Sequence, residues 1–106
     1  MARIMVVDDS GYARRVHRRI LEGGGHDVVE ASTGSEALET FFLQRPDVVL
    51  LDLSMEDMSG LDVLARLRQI DPLVRVVVVS ADVQRSTEEM VRAAGALRFI
   101  GKPAAP

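Results

Sequence analysis

The chain has 106 residues, of which 47% are hydrophobic and 27% charged, and this balance fits a single globular domain. Its formal net charge of −3 gives no general attraction to nucleic acid, so direct DNA binding is disfavoured. Cysteine is absent, which excludes a disulfide framework, a thiolate metal site and a thiol nucleophile.

No apolar run reaches the roughly 18 residues that are needed to span a bilayer. The first apolar run ends at Asp8 and Asp9, and it lacks the length and the cleavage site of a signal peptide. We therefore expect a cytoplasmic protein with no membrane partner.

Five short apolar or β-branched runs alternate with segments of helical periodicity, the pattern of βα units around a parallel sheet. The predicted strands cover residues 4–7, 27–31, 48–51, 74–79 and 97–100. The third and fourth runs are apolar without alternation, as in strands that helices cover on both faces. The sequence therefore predicts an α/β fold in which these two strands are central.

Four helices are predicted between these strands. The first begins near Ser10 and ends at the glycine run 23–25. In each of the other three, a Ser or Thr is followed three residues later by an acid, which is the spacing of a capping box. The pairs are Thr33 with Glu36, Ser59 with Asp62, and Ser86 with Glu89.

The first predicted helix carries four arginines, mostly opposite its buried stripe: Arg14, Arg15, Arg18 and Arg19. This pattern predicts a solvated face, with a docking surface for an acidic partner as the alternative. His17 and His26 are interpreted as ordinary polar positions, because neither has a matching ligand or phosphate-donor motif.

Polar residues follow four of the five predicted strands. Asp8 and Asp9 follow the first strand, Asp52 the third, Ser80 the fourth and Lys102 the fifth. Because the carboxyl ends of parallel strands share one edge of the sheet, these five side chains are predicted to converge. Three close carboxylates repel one another unless a cation neutralises them, and a set of oxygen ligands suits Mg²⁺.

Lys102 is the one lysine in a chain that otherwise carries its positive charge on arginine. At this edge a compact ammonium is favoured over a planar guanidinium. A carboxylate nucleophile, Mg²⁺, an ammonium and a hydroxyl together can stabilise a phosphoryl group during transfer. The chemistry predicted is phosphoryl transfer to Asp52.

Several short blocks, in order and spacing, resemble those of a known family. They are Val-Val-Asp-Asp-Ser at 6–10, Leu-Leu-Asp-Leu-Ser-Met at 50–55, Met-Ser-Gly at 58–60, Val-Ser-Ala at 79–81, Ala-Gly-Ala at 94–96 and Phe-Ile-Gly-Lys-Pro at 99–103. Through them the whole chain resembles the receiver domain of bacterial two-component response regulators, and is similar to chemotaxis-type single-domain regulators. The resemblance implies a flavodoxin-like three-layer sandwich with a five-stranded parallel sheet in the order 2-1-3-4-5.

The resemblance also implies roles for individual residues. Asp52 would be the phosphoacceptor. Asp9 and Asp52 would bind Mg²⁺ directly, Asp8 through water and Ser54 through its backbone carbonyl, and Mn²⁺ or Ca²⁺ could substitute.

Three further residues complete the site that the resemblance implies. Lys102 would pair with the phosphoryl oxygens, Ser80 would donate to them, and Phe99 would be the coupled aromatic switch. The phosphoryl group would come from a sensor histidine kinase or a histidine phosphotransfer protein, and its arrival would change the conformation of the domain. Such a domain is a switch and not an enzyme, with self-phosphorylation and autodephosphorylation as its only activities.

Three departures from the family pattern matter, and the first is that Phe99 replaces the commoner tyrosine. Glu56 stands where the family often has proline, which should leave that loop freer. From the resemblance we expect the family's fifth helix to be absent or truncated, and we assign 1–103 to the receiver domain and 104–106 to a tail or linker. We also expect an uncovered flank beside the first helix, through which the chain could form a homodimer.

The sequence leaves other functions open. The main alternative is a phosphorylation-independent pseudo-receiver that acts as a dimerisation or scaffold module, although the intact set of acids disfavours it. An aspartate-nucleophile phosphohydrolase would need an acid two residues beyond Asp52, where Ser54 stands. A flavodoxin-like cofactor binder would need a phosphate-cradling loop after the first strand, where two acids would repel the phosphate.

Overall fold

The computed structural model describes residues 2–53, 55 and 57–101, and in that range five strands alternate with four helices. The strands are β1 (Arg3–Val7), β2 (Asp27–Ala31), β3 (Val48–Asp52), β4 (Val76–Ser80) and β5 (Arg98–Gly101). The helices are α1 (Gly11–Gly23), α2 (Gly34–Gln44), α3 (Gly60–Ile70) and α4 (Arg85–Ala93). No helix in the described ranges is long and apolar enough to cross a membrane. The assignment of 104–106 to a tail concerns residues outside these ranges.

The strands form one parallel sheet in the order β2-β1-β3-β4-β5, which confirms the predicted fold class and strand order. β3 and β4 each lie between two neighbours, as their continuous apolar runs predict. Asp52 lies opposite Val79 and Ser80 lies opposite Gly101, so β3, β4 and β5 end close together. This register brings the residues at those strand ends to one edge of the sheet.

β4 begins at Val76, later than the predicted start at residue 74. Asp71 ends α3, and its carboxylate accepts a hydrogen bond from the Leu73 N–H at 3.0 Å. The Val74 N–H donates to the Asp71 carbonyl, also at 3.0 Å. This turn keeps Val74 out of the ladder, despite its apolar side chain.

Three of the predicted helix starts are confirmed. The hydroxyls of Ser10, Thr33 and Ser59 each accept a hydrogen bond from the backbone N–H three residues later, at 3.2, 3.0 and 3.2 Å. Glu36 also accepts from the Ser32 N–H at 3.0 Å, so its side chain reaches back toward the start of α2. Each bond satisfies an N–H that the helix itself leaves unpaired.

The predicted capping role of Ser86 is wrong. α4 begins at Arg85 with Gln84 at the N-cap, and Gln84 makes no side-chain cap bond. Asp82 fixes this end of the helix, because its carboxylate accepts from the Gln84 N–H at 3.1 Å and from the Thr87 hydroxyl at 2.7 Å. Ser86 therefore lies inside the first turn.

α2, α3 and α4 pack on one face of the sheet and enclose the main core. Strand residues that point to this face are fully buried against Phe41, Leu64, Leu67 and Val91 of the helices. They are Met5, Val7, Val49, Leu51, Val76 and Val78. This layer holds β1, β3 and β4 rigidly beneath the helices.

α1 lies against β1 and β2 on the other face. Side chains alternate along a strand, so Ile4 and Val6 point to this face and both are buried. Leu50 and Val77, farther from α1 in the sheet, are only partly buried, and Ile100 on β5 is 39% exposed. In the described part of the chain this flank is therefore partly exposed, although Val79 on the same face is 2% exposed.

Candidate functional site

Three carboxylates lie together at the carboxyl edge of the sheet. One oxygen each from Asp8, Asp9 and Asp52 lies within 4.8 Å of the other two. Asp8 and Asp52 are 2% and 4% exposed, whereas Asp9 is exposed. Close carboxylates with little access to water need a cation to offset their repulsion, and an all-oxygen set fits a hard divalent ion. The cluster can therefore hold a metal ion.

The Asp8 end of the cluster is held by hydrogen bonds to both its backbone and its side chain. Its N–H donates to the Ala31 carbonyl at 3.1 Å, which extends the pairing of β1 with β2 by one residue. Its carboxylate accepts from the Ser10 N–H at 2.9 Å, and its carbonyl accepts from Arg14 Nη1 at 2.7 Å. The acidic turn is thus fixed in place before any ligand binds.

Asp57 ties the loop after β3 to the start of α2. Its two carboxylate oxygens accept hydrogen bonds from the Gly34 N–H at 2.9 Å and the Ser35 N–H at 3.1 Å. The Gly34 N–H, followed by the Ser35 N–H, holds the pKa of the Asp57 carboxyl below its usual value. Glu56 lies outside the described residues, so the effect of the missing proline stays a prediction.

Gly60 begins α3 in a space that admits no side chain. A Cβ at this position would lie 2.6 Å from Leu53 Cα and 3.0 Å from the Asp52 carbonyl oxygen. The Gly60 N–H donates to the Leu53 carbonyl at 3.2 Å, which closes the loop behind Asp52. The glycine of the Met-Ser-Gly block is therefore required by the close approach of the backbone.

Ser80 ends β4 with a side chain that is 2% exposed. Its hydroxyl accepts a hydrogen bond from the Asp82 N–H at 3.0 Å. The Thr87 hydroxyl, followed by the Gln84 N–H, lowers the pKa of the Asp82 carboxyl. The chain Ser80–Asp82–Thr87 thus joins the edge of the site to α4.

Three other predicted site residues remain, which are Phe99, Lys102 and Ser54. Phe99 lies on β5 opposite Val78, is partly buried and packs against the main core. Lys102 and the carbonyl of Ser54 lie outside the described residues, so their roles stay predictions.

The arginines of α1 divide into two pairs. Arg14 Nε and Arg18 Nε donate to the two carboxylate oxygens of Glu30 on β2, at 3.0 and 2.7 Å. These two arginines are therefore only partly solvated, which departs from the predicted solvated face, because they reach back over the sheet. Arg15 and Arg19 are exposed, as predicted.

The histidines lie away from the acidic cluster in the sequence and have separate surroundings. His26 Nδ1 accepts a hydrogen bond from the Ala2 N–H at 3.0 Å, which joins the start of the chain to the α1–β2 turn. His17 is buried on α1. Neither belongs to the group of potential metal ligands found among the described residues.

Comparison with known proteins identifies the family. The family model described as the response regulator receiver domain matches residues 4–106. The chain belongs to the response regulator receiver family. The receiver domain shares 38% identity with the chemotaxis protein CheY of Bacillus subtilis, over 95% of this chain and 85% of that protein. It shares 35% identity with CheY of Thermotoga maritima, over 98% and 88% of the two chains.

Solved structures agree with the fold of this receiver domain. The CheX–CheY–BeF3–Mg²⁺ complex from Borrelia burgdorferi superposes with a TM-score of 0.93 at 27% identity, covering 97% of this chain and 79% of that chain. The predicted resemblance and the flavodoxin-like topology are thus confirmed. Receiver domains of this family are signalling switches of two-component regulatory systems, not enzymes in the usual sense.

Proposed function

We propose that this receiver domain accepts a phosphoryl group on Asp52 in a Mg²⁺-dependent reaction and changes conformation to signal. The observation that carries the proposal is the convergence of Asp8, Asp9 and Asp52 within 4.8 Å at the sheet edge. Ligand sites in open α/β sheets form at this edge, outside the carboxyl ends of the strands. The match to the receiver family supports the same conclusion.

Asp52 is the nucleophile in the proposed reaction. One of its carboxylate oxygens attacks the phosphorus of a phosphohistidine, the phosphorus–nitrogen bond breaks, and the imidazole nitrogen keeps the bonding electron pair. The product is an acyl phosphate on Asp52. Because Asp52 is the last residue of β3, the strand and the close turn at Gly60 hold its backbone still during the attack.

Asp9 and Asp52 are the proposed direct side-chain ligands of Mg²⁺ and Asp8 is the proposed ligand through water, with the Ser54 carbonyl as the backbone ligand and Mn²⁺ or Ca²⁺ as substitutes. When bound, the ion neutralises the carboxylates and stabilises the charge on the phosphoryl oxygens. Lys102 supplies a further positive charge to the same oxygens. The carboxylates themselves hold and orient the ion, which requires that the Asp8–Asp9 turn be stable.

Ser80 and Phe99 are the proposed switch residues. Ser80 donates its hydroxyl hydrogen to the phosphoryl group, and movement of Ser80 pulls on Asp82, whose N–H it accepts. Asp82 is bonded to Thr87 in α4, so the displacement reaches that helix. Phe99, packed beside β4, takes up the space that is vacated.

The proposed phosphoryl donor is a sensor histidine kinase or a histidine phosphotransfer protein that docks beside α1. Arg15 and Arg19 are exposed there, next to Tyr12, whose side chain is 72% exposed. An acidic donor surface would be attracted to this basic stripe. The Borrelia complex provides a precedent for a receiver with a bound partner, BeF3 and Mg²⁺.

The proposal also covers the domain bounds, the location and the activity of the chain. The receiver domain covers residues 1–103, acts in the cytoplasm, and catalyses only its own phosphorylation and dephosphorylation. We also propose that the chain self-associates through the partly exposed sheet face around Leu50, Val77 and Ile100.

The proposed function is tested by intact mass after incubation with a small acyl phosphate and Mg²⁺. Wild-type protein should gain one phosphoryl group, a chelator should prevent the gain, and Asp52→Asn should show none. Asp62→Asn is a matched control, because Asp62 is an exposed acid in the first turn of α3 and does not belong to the cluster. It should still be modified.

Two results would contradict the proposal in different ways. A mass gain that survives in Asp52→Asn would place the acceptor elsewhere. No gain in any protein, with the fold intact by circular dichroism, would favour the phosphorylation-independent scaffold function.

A further inference from the structure

We propose that Arg14 is a positioning residue for the metal site, acting through the backbone carbonyl of Asp8. The inference rests on the proposed function, because it assigns Arg14 to the same Asp8, Asp9 and Asp52 site. Arg14 itself would touch neither the metal nor the phosphoryl group.

Arg14 joins the acidic turn to β2. Its Nη1 donates to the Asp8 carbonyl at 2.7 Å, and its Nε donates to Glu30 Oε1 at 3.0 Å. The side chain is 21% exposed, so both bonds lie in a partly dehydrated setting where they are stronger than at an open surface. One planar guanidinium can serve both acceptors, whereas a lysine ammonium has no rigid fork.

The carbonyl that Arg14 contacts lies between the two acids of the turn. It belongs to the peptide group that joins Asp8 to Asp9, and a peptide group is planar. β1 ends at Val7, so this peptide lies beyond the last residue of the strand. A bond to its oxygen therefore restrains the backbone of both metal-site acids together.

Glu30 supports Arg14 from the neighbouring strand. Glu30 lies on β2 opposite Val6, close to the end of β1. Its second carboxylate oxygen accepts from Arg18 Nε at 2.7 Å, so the carboxylate is held by two arginines. This support makes the position of Arg14 dependent on the sheet and not only on α1.

The positive charge of Arg14 allows its positioning role to be distinguished from a simple electrostatic effect on metal affinity. A positive charge near a cation site repels the cation, so removing that charge alone would strengthen metal binding. Loss of positioning would weaken metal binding instead, because the two carboxylates would no longer be pre-oriented. The two explanations thus predict opposite changes in affinity.

Arg18 provides a matched control on the same helix. It carries the same charge and pairs with the same Glu30, but its remaining bonds go to the Val28 carbonyl at 3.2 Å and to Glu22 at 3.2 Å. None of these acceptors belongs to the acidic cluster. Arg18→Gln therefore removes an equivalent ion pair without releasing the Asp8 carbonyl.

The experiment measures binding of Mn²⁺ to the full chain from the loss of the free-ion electron paramagnetic resonance signal, with Mg²⁺ as competitor. Arg14→Gln should weaken binding of both ions about tenfold, as expected for loss of a residue that orients metal ligands. Arg18→Gln should stay within about twofold of wild type, with a similar loss of thermal stability in the two variants.

Three outcomes would overturn the inference. If wild type binds the ions but Arg14→Gln binds them as tightly or more tightly, Arg14 acts only through its positive charge or only on the stability of the fold. If Arg18→Gln loses as much affinity as Arg14→Gln, the effect belongs to the Glu30 ion pairs and not to the Asp8 carbonyl. If wild type binds neither ion, the metal site of the proposed function fails as well.

Discussion

On the face of the sheet beneath α2, α3 and α4, Leu51 and Val78 are fully buried, whereas their neighbours Leu50 and Val77 on the α1 face remain partly exposed. The residues are of the same types and adjacent in the same strands. What differs is the cover, since α1 lies over β1 and β2 and leaves β3 to β5 less protected. At these four positions burial therefore follows helix position and not residue type.

The two faces also hold the acidic site by different means. On the α2 side, Asp57 anchors the loop after β3 to a helix start, and Gly60 closes tightly behind Asp52. On the α1 side, Arg14 holds the Asp8 carbonyl and Glu30. The α2 anchor depends on an ionised carboxylate at a helix N-terminus, while the α1 anchor depends on a guanidinium that stays charged at any ordinary pH.

The largest expected difference concerns stability and compares Leu51→Ala with Leu50→Ala. Leu51→Ala should lower the free energy of unfolding by about 3 kcal/mol, because it opens a cavity in a closed layer. Leu50→Ala should cost about half as much, because water already reaches that side chain and the lost burial is smaller. Urea unfolding followed by circular dichroism measures both, and equal losses would refute the asymmetry of the two faces.

An intermediate effect is expected for self-association. Ile100→Lys places a charge on the partly exposed α1 face and should reduce the dimer fraction seen by sedimentation velocity at micromolar concentration. Leu73→Lys is the control, since Leu73 is 86% exposed in the α3–β4 connection, away from that face. A wild-type protein that is wholly monomeric, or equal responses of the two variants, would rule out the proposed surface.

The smallest expected effect is a pH dependence at the Asp57 anchor. The folded pKa of Asp57 is lowered, so its contribution to stability is fully present above the usual carboxyl pKa, near 4, and is lost as pH falls through the lower folded pKa. Asp57→Asn should therefore be less stable than wild type at pH 7. The difference between their free energies of unfolding should become smaller at acid pH. Urea unfolding at a series of pH values checks this. A difference in the free energy of unfolding that grows as the pH falls would contradict the lowered pKa of Asp57.

Much of the site could be predicted from the sequence because each of its residues is marked by its immediate neighbours in the chain. Asp8, Asp9, Asp52 and Ser80 each stand at the end of an apolar run, and parallel strands bring such ends to one edge whatever the details of packing. The caps at Thr33 and Ser59 are also local, since donor and acceptor are three residues apart. The strand order followed from the family resemblance and not from the periodicity alone.

The tertiary structure decided which of several similar residues perform a task. Four arginines of α1 look equivalent in the sequence, yet Arg14 meets the Asp8 carbonyl and Glu30, whereas Arg15 faces solvent. Asp57 caps a helix that begins 23 residues earlier in the chain. The periodicity of a single segment records which face of an element is apolar, but not which distant strand or helix supplies its partner. For that reason the sequence determined the fold and the acidic edge, while the packing of α1 and α2 on the sheet determined how that edge is held.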